Sequence, residues 1–284
     1  MHHLKIFIDL TRLNKPIGFM LLFWPCSWGL AFANKIKQNS DLFFYYFILF
    51  FFGSLLMRSA GCIFNDIVDK DFDKKVKRTK NRPIASGKIS VSHSFLYVVI
   101  LCLIAFFILI QFNLLTIILG MSSMVLAFSY PFMKRITYWP QLFLGITFNW
   151  GIIMAYAALN NNISPEIIIL YFSAIFWTLG YDTIYGSQDM SDDEIIGIKS
   201  TSIKFKKNIN LFISTVYFIS IGLLVYLFKG FLGLNIFSFF LLLFILSLLY
   251  QILSIRKKNK NFLKLFKFNN YSGLFLFLGI YFIN

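Results

Sequence analysis

The sequence predicts an all-α polytopic membrane protein that crosses the bilayer about nine times. Of its 284 residues, 58% are hydrophobic and 14% are charged, whereas soluble domains carry about 25% charged residues. Phe alone contributes 37 residues, and the mean hydropathy is +0.72. Apolar segments of about 20 residues, the length that a helix needs to cross a bilayer, recur along the whole chain. This composition indicates a protein whose main partner is the lipid bilayer.

Nine apolar segments follow one another along the chain, separated by polar or charged residues. The last segment is the weakest of the nine, because Asn269 and Asn270 lie in its first turns. No linker rich in Pro, Gly or Ser divides the chain, so we expect one domain over residues 1–284. The predicted spans are 17–34, 42–64, 93–111, 114–131, 141–160, 165–186, 210–228, 232–254 and 265–283.

The loops between these spans alternate in charge. Of the 27 Lys and Arg residues, 23 lie before the first span, in the loops after the second, fourth, sixth and eighth spans, or, as Lys267 does, at the start of the ninth span; Lys35, Lys37 and Lys229 lie on the opposite side. Because loops rich in Lys and Arg stay in the cytoplasm, the N-terminus is predicted to be cytoplasmic. The net charge of +15 is therefore a topology signal and does not indicate nucleic-acid binding. We see no signal or transit peptide, which favours the inner membrane of a bacterium.

A first acidic motif, residues 65–73, closes the second span with the sequence Asn-Asp-Ile-Val-Asp-Lys-Asp-Phe-Asp. Four residues turn a helix by about 40° beyond a full circle, so Asn65, Asp69 and Asp73 share one face. Carboxylates this close repel one another unless a cation lies between them, and Mg²⁺ takes oxygen ligands and commonly bridges to phosphates. The basic run that follows, residues 74–83, supplies charges that would hold a phosphate.

A second acidic motif, residues 182–193, closes the sixth span. Its carboxylates also recur at helical spacing, and a polar and basic stretch, residues 199–204, follows it. The two motifs correspond at a constant offset of 120 residues, so we expect a parallel internal repeat that places both acidic stripes across a cavity with metal ions between them. The matched positions are Asn65 with Tyr185, Asp69 with Asp189, and Asp73 with Asp193.

One basic residue, Arg58, falls inside the second span. A charged side chain within a membrane requires an acidic partner or an anionic ligand. Arg58 precedes Asn65 by seven residues, so the two side chains share a helix face. We therefore predict that Arg58 binds an anionic group of a ligand.

These motifs resemble those of the UbiA-type membrane prenyltransferases, which carry Asn-Asp-x-x-Asp-x-x-x-Asp after the second helix and another Asp-rich motif after the sixth. The segment Lys77-Arg78-Thr79-x-x-Arg82-Pro83 also matches the family. Within the family, the chain most resembles members that prenylate 4-hydroxybenzoate. The segments that favour them are Lys15-Pro16-Ile17-Gly18, Trp24-Pro25, 57–62, Tyr130-Pro131-Phe132-Met133-Lys134-Arg135, Tyr181-Asp182-Thr183-x-Tyr185 and 196–201.

The resemblance implies nine transmembrane helices around a central cavity that is capped on the cytoplasmic side. It implies the Mg²⁺-dependent transfer of a polyprenyl group from polyprenyl diphosphate to the ring carbon ortho to the hydroxyl of 4-hydroxybenzoate, a membrane step of ubiquinone biosynthesis. No obligate protein partner is implied.

The resemblance also implies roles for residues. Arg58 and Asn65 would bind the acceptor, and Arg78, Arg82 and Lys134 the diphosphate. Tyr185 is a candidate for cation–π contact with a prenyl cation, and Lys199 is a further candidate for substrate binding. The expected catalytic metal ligands are Asp69, Asp73, Asp182 and Asp189, with Asp66 and Asp193 beside them.

Two other functions remain open from the residues alone. A relative with another acceptor, such as homogentisate, dihydroxynaphthoate or haem, would share the acidic motifs. A divalent-cation transporter would also need acidic residues in a helical bundle, but it predicts them near the bilayer midplane. Here they lie at span ends beside basic loops, which fits a diphosphate better.

Overall fold

The computed structural model describes residues 2–257 and 260–283, so Lys258, one of the basic residues predicted to be cytoplasmic, lies outside it. The described residues form α-helices and short 3₁₀ turns without a strand. The helices are α1 His2–Thr11, α2 Ile17–Lys37, α3 Ser40–Val68, α4 Lys70–Asp73, α5 Val91–Leu109, α6 Leu114–Ile136, α7 Pro140–Asn160, α8 Pro165–Gly186, α9 Met190–Ile195, α10 Thr201–Lys204, α11 Ile209–Leu227, α12 Ile236–Ile255 and α13 Phe262–Tyr281.

Most of the long helices begin at a polar side chain that caps the first turn. A side-chain oxygen accepts a hydrogen bond from the backbone N–H three residues later, which satisfies a group that the helix itself leaves free. Pro140 and Pro165 occupy the first positions of α7 and α8, where no backbone N–H is needed. The capping residues are Asn39, Ser90, Asn113, Ser164, Asn235 and Asn261.

Eight helices of the described chain are long and apolar enough to cross a bilayer. Their lipid-facing surfaces are apolar: Leu114 and Val125, for example, are 73% and 72% exposed. Such surfaces are stable only in lipid, and we conclude that the chain is an integral membrane protein.

The ninth predicted span corresponds to α13, which has 20 residues but lower hydropathy than the other eight spans. Its two asparagines are turned inward. Asn269 is fully buried, and its Oδ1 accepts hydrogen bonds from Trp177 Nε1 at 3.0 Å and Gln251 Nε2 at 3.2 Å. Asn270 Oδ1 accepts a bond from Trp24 Nε1 at 3.0 Å. The polarity of α13 thus holds it against α2, α8 and α12.

The helices pack as a bundle in which α2 contacts α3, α7 and α13, while α8 packs between α7 and α11. Small residues allow the closest approach, as they do in many membrane proteins. A Cβ atom on Gly29 would lie 2.2 Å from the Ile152 carbonyl oxygen, so only glycine fits between α2 and α7 there. This packing brings the last turns of α3 and α8 to the same end of the bundle, which we call the charged end.

A cap of short elements covers the charged end. It contains α4, α9, α10 and the loop 74–90, which we call the basic loop. The amphipathic helix α1 packs against α3, and Ile84 of the basic loop is buried in one apolar cluster with Leu10 of α1 and Ile63 of α3. The cap is therefore held to the bundle by its own apolar contacts as well as by charge.

Candidate functional site

The first acidic motif spans the junction between α3 and α4. Asp69 ends α3 and precedes α4, with φ −93° and ψ 4°. The helical hydrogen bonds continue across it, because Asp69 N donates to Asn65 O at 2.9 Å and Asp73 N donates to Asp69 O at 2.8 Å. The predicted stripe thus keeps its spacing although the helix is interrupted.

The second acidic motif has the same backbone design. The helix α8 ends at Gly186, and Asp189 precedes the short helix α9 with φ −107° and ψ 7°. Asp193 N donates to Asp189 O at 2.9 Å, as Asp73 N does to Asp69 O. Asp182 lies on α8 itself, so turns at residues 187–188 separate it from the other two carboxylates of this motif.

Basic side chains neutralise three carboxylates of the first acidic motif, Asp66, Asp69 and Asp73. Arg82 Nη1 lies 2.8 Å from Asp73 Oδ2 and 3.0 Å from Asp66 Oδ1. Asp66 also accepts a hydrogen bond from Arg12 Nη2 at 2.6 Å. Lys134 Nζ donates to Asp69 Oδ2. The predicted metal ligands and the predicted diphosphate ligands are therefore already neighbours.

One ion pair joins the basic loop to the second acidic motif. Arg78 of the basic loop donates to Asp189 through two nitrogens, Nε at 2.8 Å and Nη2 at 2.6 Å, in the bidentate geometry that guanidinium favours. Its Nη1 lies 3.4 Å from the Tyr185 hydroxyl. Residues 111 positions apart thus meet, and the loop after the first motif closes onto the second.

The carboxylates near this bridge are poorly solvated. Burial raises the pKa of Asp69 although the Lys134 ammonium beside it opposes the shift. Burial, together with the negative charge of Asp189, raises the pKa of Asp193 to about 6. Asp69 Oδ1 is buried and accepts no hydrogen bond from the described residues. A bound cation would reduce the repulsion between these carboxylates and would provide a partner for the free buried oxygen.

Arg58 lies deeper along α3. Its guanidinium packs against Gly18, where a Cβ atom would come within 2.9 Å of Arg58 Nε, and over the Phe148 ring at 5.4 Å. Its Nε is buried without a hydrogen-bond partner among the described residues. Asp182 lies within electrostatic range of Arg58. Gly18 thus leaves room for the Arg58 guanidinium, whose Nε is free to donate a hydrogen bond to a ligand.

One predicted site residue is turned elsewhere. Lys199 Nζ donates to the Ile136 carbonyl oxygen at 3.1 Å and lies over the Tyr138 ring. The structure therefore places this ammonium at the end of α6, where it ties the second motif's loop to that helix.

Three residues that carried no individual role in the sequence analysis belong to the site. Arg12, which has a left-handed backbone with φ 57°, pairs with Asp66. Arg135 Nη2 donates to the Val68 carbonyl oxygen at 2.6 Å and lies 3.8 Å from Asp69 Oδ1. Tyr130 lies within electrostatic range of Asp182 and Arg58. In the sequence, Arg12 is one of the basic residues that indicate a cytoplasmic N-terminus. Its hydrogen bond to Asp66, 54 positions away, shows that it belongs to the site.

Curated proteins that are similar to this chain in sequence are enzymes by name. The chain is 44% identical over 212 residues to 4-hydroxybenzoate polyprenyltransferase, mitochondrial, of Rattus norvegicus, with 74% of this chain and 56% of that protein aligned. It is 46% identical over 219 residues to the Arabidopsis thaliana protein of the same name, with 77% and 53% aligned. The chain therefore spans about half the length of the curated relatives it matches.

Solved structures share the fold. A UbiA homolog from Aeropyrum pernix K1, in its apo form, aligns with a TM-score of 0.75 at 21% identity over 92% of this chain and 95% of that one. A UbiA homolog from Archaeoglobus fulgidus bound to GPP and Mg²⁺ aligns with a TM-score of 0.70 at 18% identity, over 97% and 99%.

A model of the UbiA prenyltransferase family matches residues 22–276. This range contains both acidic motifs, the basic loop and Arg58, and it covers most of the chain. With the motif spacing and the shared fold, it shows that the chain belongs to the UbiA prenyltransferase family.

Proposed function

We propose that this protein transfers a polyprenyl group from polyprenyl diphosphate to the ring carbon ortho to the hydroxyl of 4-hydroxybenzoate and releases diphosphate. The observation that carries the proposal is the Arg78–Asp189 bridge, because it joins the basic loop that follows the first acidic motif to the second acidic motif at one end of a lipid-facing bundle. The names of the curated relatives support the acceptor.

The residues present fit Mg²⁺. Within residues 2–257 and 260–283, no three acidic, His or Cys side chains converge on one point, so the chain offers one or two carboxylates at a time. That is how Mg²⁺ is commonly held when phosphate oxygens and water supply its other ligands. We propose that Asp69 and Asp73 hold metal on one side, and Asp189 and Asp193 on the other. Bound Mg²⁺ would stabilise the charge of a departing diphosphate.

The basic residues of the cap fit the leaving group. When the allylic C–O bond breaks, both bonding electrons leave with the diphosphate, and a delocalised carbocation remains. In this proposal Arg78, Arg82 and Lys134 neutralise that negative charge. The aromatic ring of Tyr185, which packs on Phe266 with centroids 4.3 Å apart, can face the cation. Apolar helices around the site exclude water, which would otherwise capture the cation.

The acceptor is positioned by Arg58 in this proposal. The ring carbon ortho to the hydroxyl attacks the carbocation, a C–C bond forms, and the ring then loses the proton from that carbon. The unpartnered Nε of Arg58 suits a carboxylate, and a guanidinium can grip both of its oxygens. Asn65, seven residues along the same helix, is proposed to contact the acceptor from the side of the acidic motif.

Two wider predictions also stay proposals. The matching backbone at Asp69 and Asp189 supports the parallel repeat of residues 65–73 and 182–193. The charge distribution supports a cytoplasmic position of the charged end. A bacterial inner membrane stays a proposal, and the names of the curated relatives describe mitochondrial proteins.

The direct test is an assay of membranes that express this chain. They would receive polyprenyl diphosphate, with and without Mg²⁺, and a panel of 4-hydroxybenzoate, homogentisate and dihydroxynaphthoate, with products identified by mass. We expect a Mg²⁺-dependent adduct with 4-hydroxybenzoate. An adduct with a different member of the panel only would reassign the acceptor, and Mg²⁺ uptake into liposomes without any adduct would favour the transporter.

A further inference from the structure

A second cavity lies at the end of the bundle opposite the charged end, which we call the far end. This far cavity has a volume of about 340 Å³. The last turn of α2, the first residue of α3 and the end of α13 meet around it. Neither the acidic motifs nor the proposed mechanism uses this part of the molecule. The polar residues that line the far cavity are Asn34, Lys35, Gln38, Ser40 and Tyr281.

Lys35 carries a positive charge that no carboxylate of the described residues neutralises. Its Nζ is buried without a hydrogen-bond partner among them, and none of their ion pairs includes it. The amine lies 3.1 Å from the centre of the Phe231 ring. A ring face attracts an ammonium but provides no oxygen for its three N–H donors. Because a buried charge without a partner is costly, an anionic ligand would stabilise Lys35.

The other polar side chains of the far cavity are also free to bind a ligand. Asn34 Oδ1 is buried and has no partner among the described residues. The side chains of Gln38, Ser40 and Tyr281 make no hydrogen bond within the same part of the chain. Amide and hydroxyl groups can each donate a hydrogen bond. The far cavity therefore combines one ammonium with several neutral donors, which is a lining that suits an anion.

The backbone at the far end favours the same sign of ligand. Gln38 has a left-handed backbone with φ 51°, and its N–H donates to the Asn34 carbonyl oxygen at 2.7 Å. The chain turns there, so that α3 begins beside the cavity. The first N–H groups of a long helix attract anions. Asp41 and Glu166 are the acidic residues of the far end, and neither lines the cavity.

The surface around the far cavity is apolar and faces lipid. Ile36 and Phe282, which neighbour lining residues in the chain, are 61% and 42% exposed. Such side chains contact acyl chains in a bilayer, and tyrosines such as Tyr281 favour the boundary between lipid and water. An anion that is attached to acyl chains therefore fits this position better than a free ion does.

We propose that the far cavity binds the phosphate group of a phospholipid and that Lys35 is its anion-binding residue. A lysine side chain is a flexible four-carbon stem, so its amine can move from the Phe231 ring to a phosphate oxygen in the cavity. A lipid bound here contacts α2, α3 and α13 together, and it stabilises the folded bundle by mass action. The inference does not depend on the proposed function, because prenyl transfer uses the charged end.

The test compares Lys35→Gln with Lys37→Gln, which removes an exposed lysine of the same last turn that does not line the cavity. The purified full chain in dodecyl maltoside is titrated with dioleoyl phosphatidylglycerol, and native mass spectrometry measures the bound lipid. We expect Lys35→Gln to weaken binding about three- to tenfold relative to Lys37→Gln, as the loss of one charge-assisted contact does. Lys35→Arg, which keeps the charge, should bind within about twofold of the unchanged chain.

Two further ligands identify what the cavity recognises. Dioleoylglycerol has the same acyl chains without a phosphate, and it should bind equally to both variants. Inorganic phosphate has no acyl chains, and it should raise the thermal midpoint of the unchanged chain less than phosphatidylglycerol does. Equal binding of phosphatidylglycerol by Lys35→Gln and Lys37→Gln would overturn the proposal. Stabilisation by inorganic phosphate that depends on Lys35, without any by the lipid, would overturn it in favour of a free anion. Since no arm needs turnover, a failure of prenyl transfer would leave these results unchanged.

Discussion

At the scale of single residues, the site is a set of charges that neutralise one another. Asp66, Asp69, Asp73 and Asp189 each contact an Arg or a Lys. Removing one member of such a pair leaves its partner buried and uncompensated, which costs more than the pair itself contributes. Mutations here are therefore informative only beside a matched control.

Asp73→Ala should lower prenyl transfer by at least about 100-fold, because it removes a carboxylate that we assign to the metal. The control is Asp71→Ala, which removes a carboxylate of the same segment whose side chain is 84% exposed and pairs only with Lys74 among the described residues. Turnover is measured in detergent at saturating donor and acceptor, with gel filtration to confirm folding. Normal turnover by a well-folded Asp73→Ala variant would refute the metal role.

Arg58→Ala should raise the KM of the aromatic acceptor about 10- to 100-fold, the usual effect of losing a buried charge-assisted contact. The KM of the prenyl diphosphate serves as the internal control and should change little. Arg58→Lys keeps the positive charge but loses the two parallel N–H donors of the guanidinium, so it should give an intermediate acceptor KM. Equal increases in both constants would reject the assignment of Arg58 to the acceptor.

At the scale of elements, α13 shows how a helix of low hydropathy finds its place in a membrane bundle. Asn269 connects Trp177 of α8 to Gln251 of α12, and Gln251 also accepts a bond from the Tyr217 hydroxyl at 2.8 Å. Four helices thus share one buried polar network. In lipid, each of these groups needs a partner within the protein.

Asn269→Leu should destabilise the protein by about 1–3 kcal/mol, because the buried Trp177 Nε1 would lose its hydrogen-bond acceptor and Gln251 would lose its bonds to Asn269. The thermal midpoint, measured by loss of the monodisperse gel-filtration peak in detergent, should fall accordingly. Tyr271→Ala, at an exposed position of the same helix, provides the control. A midpoint for Asn269→Leu that is no lower than that of the control would show that the network contributes little.

At the scale of the whole molecule, function depends on the sidedness of the bundle. The charged end carries both acidic motifs and the basic loop, and the opposite end carries short polar loops such as residues 161–164. In the proposed reaction, a water-soluble diphosphate can leave only from a face that meets water, whereas the prenyl chain stays in the lipid. The orientation of the bundle therefore decides which compartment receives the product.

The predicted orientation can be checked with a cysteine scan in intact cells. In a Cys102→Ser background, in which the remaining Cys26 and Cys62 are buried, a membrane-impermeant maleimide should label Asn162→Cys. It should label Ser86→Cys only after the membrane is permeabilised, because the basic loop is predicted to be cytoplasmic. The reverse pattern would invert the topology.

Composition and periodicity are enough to predict the membrane class, the spans and the spacing of the acidic motifs, and the loop charges predict an orientation that the cysteine scan tests. These features depend on composition and on helical periodicity, which are local properties that the sequence shows without a structure. The prediction of one uninterrupted helical stripe missed the breaks at Asp69 and Asp189, because a turn that preserves the four-residue register leaves no mark in the spacing.

Which charges meet depends on how the helices pack in three dimensions. Arg78 with Asp189 and Arg12 with Asp66 both join segments that are far apart in the chain, and the order in which the helices pack sets those distances. Lys199, which sequence placed among the substrate ligands, bonds to the backbone of α6 instead. Charge alone identifies a residue that can bind an anion, but its neighbours in space determine whether another group already holds it.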